Sequence, residues 1–258
     1  MGKTIGMGNM KIIISPAKKM QDASSDFEIR DTPLYLAKTK QLLQRLQRAS
    51  YPELQRLWKC SEKLARLNYQ RLQDAELEKN LTPALFSYVG LQYSSMAPDL
   101  LEAADLEYLE QNLRILSGFY GILRPFDGVI QYRLEMGAKL VGATYQDLYE
   151  FWGAELYTEL YRTQEPVINL ASKEYSKAIE RYLAPNDVFV TLEFKEFDPK
   201  RQKYVQKATH AKQARGQFVR YLAKQKVKTL EQLKEFDELG YRFVTERSTA
   251  KKYIFLKE

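Results

Sequence analysis

The residues able to do acid–base or anion chemistry gather just beyond two apolar runs. Lys11–Ile14 is rich in β-branched residues and leads into Ser15, Pro16, Lys18 and Lys19. Val167–Ala171 ends at Ser172, with Lys173, Glu174, Tyr175 and Lys177 next. Each run reads as a buried strand that delivers a serine and then lysines into a loop, and two such ends side by side would make one polar pocket. Between them in sequence, Tyr132, Arg133 and Glu135 add a phenol, a cation and a carboxylate on a segment that reads as strand-like. Glu135 and Glu174 are the candidate acid/base carboxylates and Ser15 a third catalytic candidate. Lys18, Arg133 and Lys212 would then meet a phosphate or oxyanion, and Ser15, Tyr132, Asn169, Ser172 and Tyr175 would line the pocket. The plainer reading of carboxylates beside bases is ion pairs.

A second set of residues suits a polyanion. Leu106, Leu109, Leu113 and Leu116 recur at helical spacing, which predicts a helix over Asp105–Leu116 that stops near Gly118. Gly121 opens another turn, and Pro125 keeps any following helix short. The expectation is a tight helical hairpin whose free amides grip a phosphate through Ser117, Gly118, Tyr120 and Gly121, flanked by Arg114 and Arg124. An ordinary connection with arginines in solvent is the plainer reading. Residues Lys195–Lys228 hold eleven lysines and arginines against two acids, a local excess larger than the +7 of the whole chain. Their core is a helix expected over Ala211–Lys226, carrying Lys212, Arg215 and Arg220, and clustering of this kind is the footprint expected for nucleic acid. Eighteen tyrosines offer stacking surfaces as well as core packing. The acids of Met96–Glu110 read as a solvated outer face.

The elements that must position these groups follow from pattern. Leu34–Asp74 reads as helices broken at Pro52, Asp147–Tyr161 as one helix, and Asp187–Phe194 with Lys203–Thr209 as a hairpin around Asp198-Pro199. Gly240–Thr245 and Lys252–Leu256 close the chain as a second hairpin. No repeat or linker divides the 258 residues, and 45% apolar content excludes wholesale disorder, so a single α+β domain is expected over 10–258. Residues 1–9 read as a cloning remnant ahead of a natural start at Met10. One cysteine, Cys60, and one histidine, His210, exclude an intrachain disulfide and a Cys/His zinc site. They leave too few ligands for a di-iron bundle, so no metal or cofactor is expected. No run approaches the roughly 20 apolar residues of a membrane span and no signal peptide is visible, which predicts a cytoplasmic protein with no membrane partner.

Seven ordered runs resemble those of the bacterial YaaA peroxide-stress family. They are Ile14-Ser-Pro-Ala-Lys18, Ser61-Glu-Lys-Leu-Ala65, Leu116-Ser-Gly-Phe-Tyr-Gly-Ile-Leu-Arg-Pro125, Tyr132-Arg-Leu-Glu-Met-Gly137, Asp147-Leu-Tyr-Glu-Phe-Trp-Gly153, Ile168-Asn-Leu-Ala-Ser172 and Ala211-Lys-Gln-Ala-Arg-Gly216. The resemblance implies a family-specific mixed sheet surrounded by helices, a helix-hairpin-helix-like element and a basic cleft. It also implies DNA binding that protects against iron-driven damage during peroxide stress. On that reading Lys18, Arg114, Ser117, Gly118, Tyr120, Gly121, Arg124, Arg133, Lys177, Lys212, Arg215 and Arg220 would meet DNA, duplex or distorted, with weak sequence preference. The alternative is an enzyme acting on a nucleotide or other small anionic substrate. The chain departs from the family pattern at Tyr88–Tyr93, where a lysine and an aspartate are usual, and at Lys19, Ala154 and Lys173. The last three changes would make the cleft more basic.

Overall fold

Ile12, Ile13 and Ile14 are fully buried without alternation, as expected of a strand covered on both faces, and they form β1 (Lys11–Ile14) at the centre of the sheet. The computed structural model describes residues 10–23 and 27–257, so the reading of residues 1–9 falls outside the described residues. After β1 come a two-residue β2 (Lys19–Met20), α1 (Leu36–Gln47), α2 (Tyr51–Trp58) and α3 (Glu62–Gln73). Next come β3 (Thr82–Pro83), α4 (Ala84–Ser87), β4 (Tyr88–Val89), α5 (Leu91–Met96) and α6 (Ala103–Asn112). Then follow β5 (Leu113–Ser117), β6 (Gly121–Leu123), β7 (Gly128–Val129), α7 (Leu148–Trp152), α8 (Glu155–Leu160), β8 (Val167–Asn169) and α9 (Lys173–Glu180). The chain closes with β9 (Phe189–Asp198), β10 (Lys203–Val205), α10 (Ala208–Gln225), β11 (Tyr241–Phe243) and β12 (Lys252–Lys257).

The main sheet runs β11-β12-β9-β8-β1-β5-β6, with β10 on β9. Its centre is parallel: Ile12 sits opposite Leu113 of β5 on one side and Ile168 of β8 on the other. The β5–β6, β11–β12 and β9–β10 pairs are antiparallel, so the sheet is mixed and the fold is α+β with helices around it. The two expected hairpins are present at β9–β10 and β11–β12.

The expected helical hairpin is not. α6 ends at Asn112, and Leu113–Ser117 is a strand whose Leu113, Ile115, Leu116 and Ser117 are all fully buried. A strand buried on both faces loses its period of two, so leucines spaced three and four apart fit it as well as a helix. Gly118–Tyr120 is then a turn joining β5 to β6, with Ser117 paired to Gly121. Asp147–Tyr161 is also two helices, because Gly153 takes a φ of +53° between α7 and α8. The acids of α6 are not all solvated. Asp105 is 4% exposed and binds Lys224, at 2.6 Å, and Lys226 of α10.

Candidate anion-binding cleft

From β1 the chain passes to β5 on one side, and β8 later joins β1 on the other. Loops that leave neighbouring parallel strands in this way part from one another and open a crevice at the strands' C-terminal ends. Here the two serines meet. The Ser172 amide donates to Ser15 Oγ at 2.8 Å, Ser15 Oγ donates to Ser172 Oγ at 3.2 Å, and Tyr93 donates to the Ser15 carbonyl at 3.0 Å. The crevice is a cleft of about 380 Å³. Ser15 thus stitches the floor of the cleft together, with no imidazole beside it: His210 lies 2.6 Å from Glu196, which also accepts a bond from Tyr241 at 2.7 Å.

One wall is the segment Tyr132–Glu135, which is irregular rather than strand-like because its backbone is held by side chains and a turn. Trp58 Nε1 donates to the Arg133 carbonyl at 2.7 Å, and Arg133 Nη2 donates to the Trp58 carbonyl at 3.2 Å. From behind, the Gly118 turn presses on it so closely that a Cβ there would lie 2.6 Å from the Leu134 carbonyl oxygen. The amides of Phe119 and Tyr120 donate to Ser117 Oγ at 3.1 and 2.9 Å, so these two are already taken and not free for a phosphate. With those bonds accepted, Ser117 turns its own proton to Tyr132, 2.6 Å away, and the Tyr132 and Tyr88 hydroxyls share a hydrogen bond of 2.8 Å. Burial raises the Tyr132 phenol to about 12 despite the bonds from Ser117 and Tyr88, which fixes it as a neutral group lining the cleft. Glu135 Oε1 stands 3.4 Å from Arg133 Nη2 and 3.7 Å from Lys18 Nζ.

The opposite wall is α10 packed closely against α5. Gly216 makes it possible: a Cβ there would fall 2.0 Å from the Gln92 carbonyl oxygen. That approach carries Arg215 and Lys212 into the lining together with Gln92 and Tyr93. Burial lowers the Arg215 guanidinium pKa, and Glu193 only partly offsets this from a distance. Among the described residues Arg215 has no ion-pair partner. Five buried side-chain polar atoms among the described residues lack any hydrogen-bond partner. Four of them belong to residues lining this cleft: Gln92 Nε2, Arg133 Nε, Arg215 Nε and Glu135 Oε1. Orphans are rare in folded proteins, and their concentration in one place marks a site that awaits partners.

The other residues singled out in the sequence are placed elsewhere. Arg124 is tied to Asp31 at 2.7 Å and Asp127 at 2.8 Å, and lines a separate hollow of about 270 Å³ with Arg114 and Arg162. Arg114 Nη1 donates to the carbonyls of Glu110 and Leu113 at the end of α6, and Arg220 Nη1 to those of Met96 and Ala97 at the end of α5, each a cap on a helix C-terminus. Tyr120 and Gly121 are buried behind the turn. Asn169 clips β8 to Thr191 and to the Ala171 amide, below the cleft lining. Lys177 lies 4.7 Å over the Tyr149 ring. Glu174 is exposed at the rim and accepts from the Gly137 amide at 2.8 Å, while Tyr175 lines the cleft. Lys19 joins the lining, but Lys173 turns away to Glu180. Much of the basic run is spent on internal pairs: Lys195 with Glu193, Lys207 with Glu196, Lys224 and Lys226 with Asp105. Among the polar lining residues, Gln92 and Tyr93 are the ones sequence reasoning passed over. Both fall within the Tyr88–Tyr93 segment, which also brings Val89, Gly90 and Leu91 into the lining.

Residues 10–247 match the family model described as Peroxide stress protein YaaA. The chain belongs to the YaaA peroxide stress family. A relative called UPF0246 protein from Pediococcus pentosaceus is 50% identical over 248 residues, covering 96% of this chain and 98% of that one. Its namesake in Lactiplantibacillus plantarum is 49% identical over 96% of this chain and 99% of its own length, and that of Ligilactobacillus salivarius 52% identical over 82% and 85%. Membership supports a role for this YaaA-family protein in peroxide stress. Among the described residues no group of three or more His, Cys, Asp or Glu is placed to hold a metal ion, and no helix is long and apolar enough to cross a membrane.

Proposed function

We propose that this YaaA-family protein serves in peroxide stress through the cleft at the ends of β1 and β8, which binds a small anionic ligand, a nucleotide or a compound of similar size and charge. The observation that carries this reading is Arg215, a guanidinium with a buried, unbonded Nε and no carboxylate partner among the described residues, facing a cavity beside Arg133 and Lys212. A guanidinium with a buried, unbonded nitrogen and only a distant counter-charge in Glu193 is unfavourable, and an anionic ligand relieves it. The volume, about 380 Å³, falls within the roughly 300–1,000 Å³ usual for small-molecule sites. Tyr93, Tyr132 and Tyr175 supply flat apolar surface for a ring. In the catalytic form of this reading Glu135 takes a proton from the ligand while Lys18 and Arg133 hold the charge that develops.

DNA is the second reading, favoured by the exposed Lys18, Lys19 and Lys212 at the mouth of the same cleft. A distorted or single strand crossing the mouth would lay phosphates on these lysines and offer one nucleotide to the interior. Calorimetric titration with nucleoside monophosphates, beside a salt series with single-stranded and duplex oligonucleotides, separates the two. Saturable nucleotide binding lost in Arg215→Gln supports the small-ligand reading. Steeply salt-dependent oligonucleotide binding, lost in Lys212→Glu but kept in Arg215→Gln, favours DNA. Binding of neither class would overturn both.

A further inference from the structure

Lys18, Glu135 and Glu174 line not only the cleft but also a second cavity of about 410 Å³. The remaining charges of that cavity are Arg56, Lys59, Lys139 and Glu53. Glu53 is bound to Arg45 at 2.5 Å, and Glu174 is held by the Gly137 amide. Arg56, Lys59 and Lys139 are exposed and have no ion-pair partner among the described residues. The second cavity therefore carries uncommitted positive charge, as the first does around Arg215. At the waist between them Glu135 offers an acceptor, Oε1, that Arg133 and Lys18 face as ions but that receives no hydrogen bond.

Resting on the reading of the cleft as an anion site, we infer that the second cavity is a further anion subsite continuous with it, and that the ligand is bis-anionic. One phosphate or carboxylate group meets Arg215 and Lys212, and a second meets Arg56, Lys59 and Lys139. The neutral body that joins them passes the waist and presents an N–H or O–H group to Glu135. A nucleoside with phosphates at both ends of its ribose has this order of groups, and so does an internal nucleotide of a single strand. These are two sources of one chemistry.

The test is calorimetric titration of the wild type, Arg56→Glu/Lys139→Glu and Arg215→Gln with a nucleoside monophosphate, a nucleoside bisphosphate and a short single-stranded oligonucleotide. In the wild type the bisphosphate is expected to bind roughly tenfold more tightly than the monophosphate, a gain of the size expected for charge-assisted bonds. Arg56→Glu/Lys139→Glu should abolish that advantage and leave monophosphate binding unchanged. The same loss seen with the oligonucleotide and not with the bisphosphate supports the bis-anionic chemistry and assigns it to a strand. Equal binding of mono- and bisphosphate, with the double variant and the wild type alike on every probe, overturns the subsite while leaving the cleft intact. Absence of binding by all three probes, with Arg215→Gln indistinguishable from wild type, overturns the cleft reading itself.

Discussion

Arg215 holds a charge that Glu193 offsets only partly and that no carboxylate pairs with directly among the described residues. Removing it should therefore cost ligand affinity and not stability, the reverse of what truncating a structural ion pair does. Arg215→Gln is expected to keep or raise the melting temperature while weakening nucleotide binding by roughly tenfold or more. Calorimetry beside differential scanning fluorimetry reads both, and a fall in stability with unchanged binding would make Arg215 a packing residue. Arg124 is the control at this scale. Its guanidinium is bound to Asp31 and Asp127, and burial is outweighed by these carboxylates so that its pKa rises. Arg124→Gln should lower stability and leave nucleotide affinity alone. The sequence displayed both arginines equally. What separates them, a carboxylate at hydrogen-bond distance or none, depends on partners far away in the chain, and no local pattern records it.

The glycines of the two most distinctive motifs act through the elements they let approach. Gly118 allows the β5–β6 turn to touch the backbone of Leu134–Met136, and Gly216 allows α10 to touch the Gln92 carbonyl of α5. Gly118→Ala must displace backbone atoms, which overpacking data price at about 1–3 kcal/mol, and Gly216→Ala, with its shorter contact, at no less. Each should also weaken nucleotide binding, because Arg133 and Glu135 ride on the first contact and Arg215 on the second. Chemical denaturation with parallel titrations checks this, and an alanine variant with native stability and affinity would contradict it. The glycine pair Gly118 and Gly121 was conspicuous in the sequence, but its role was not. Spacing suggested a phosphate grip, whereas Ser117 takes up the Phe119 and Tyr120 amides and passes its proton toward Tyr132. β1 and β8 were legible as buried apolar runs, and their pairing follows from both needing cover on two faces. The strand character of Leu113–Ser117 was hidden because its burial leaves no alternation to read.

Across the whole molecule the net charge of +7 is not one continuous field. Part of it neutralises α6 through Asp105, whose carboxyl burial would push up but which bonds from Lys224, Lys226 and the Glu102 amide hold at about 2. A depressed acid pKa adds stability that is complete above the unfolded value of about 4 and is lost as pH falls toward 2. Asp105→Asn should therefore cost roughly 2 kcal/mol at neutral pH, a deficit that shrinks as acid is added. Urea denaturation of both proteins across that range measures it, and a gap that stays constant with pH would remove Asp105 as the cause. Unpaired positive charge also faces the cleft and its neighbouring cavity, and three unbonded buried donors, on Gln92, Arg133 and Arg215, belong to residues of the cleft lining. The most direct measurement of that claim is a nitrogen-15 NMR titration of the arginine Nε–H groups with a nucleoside monophosphate. Saturable shifts of Arg215 and Arg133, with Arg114 and Arg124 unmoved, are predicted. Shifts confined to Arg114 and Arg124, or none at any arginine, would contradict an anion site at the ends of β1 and β8.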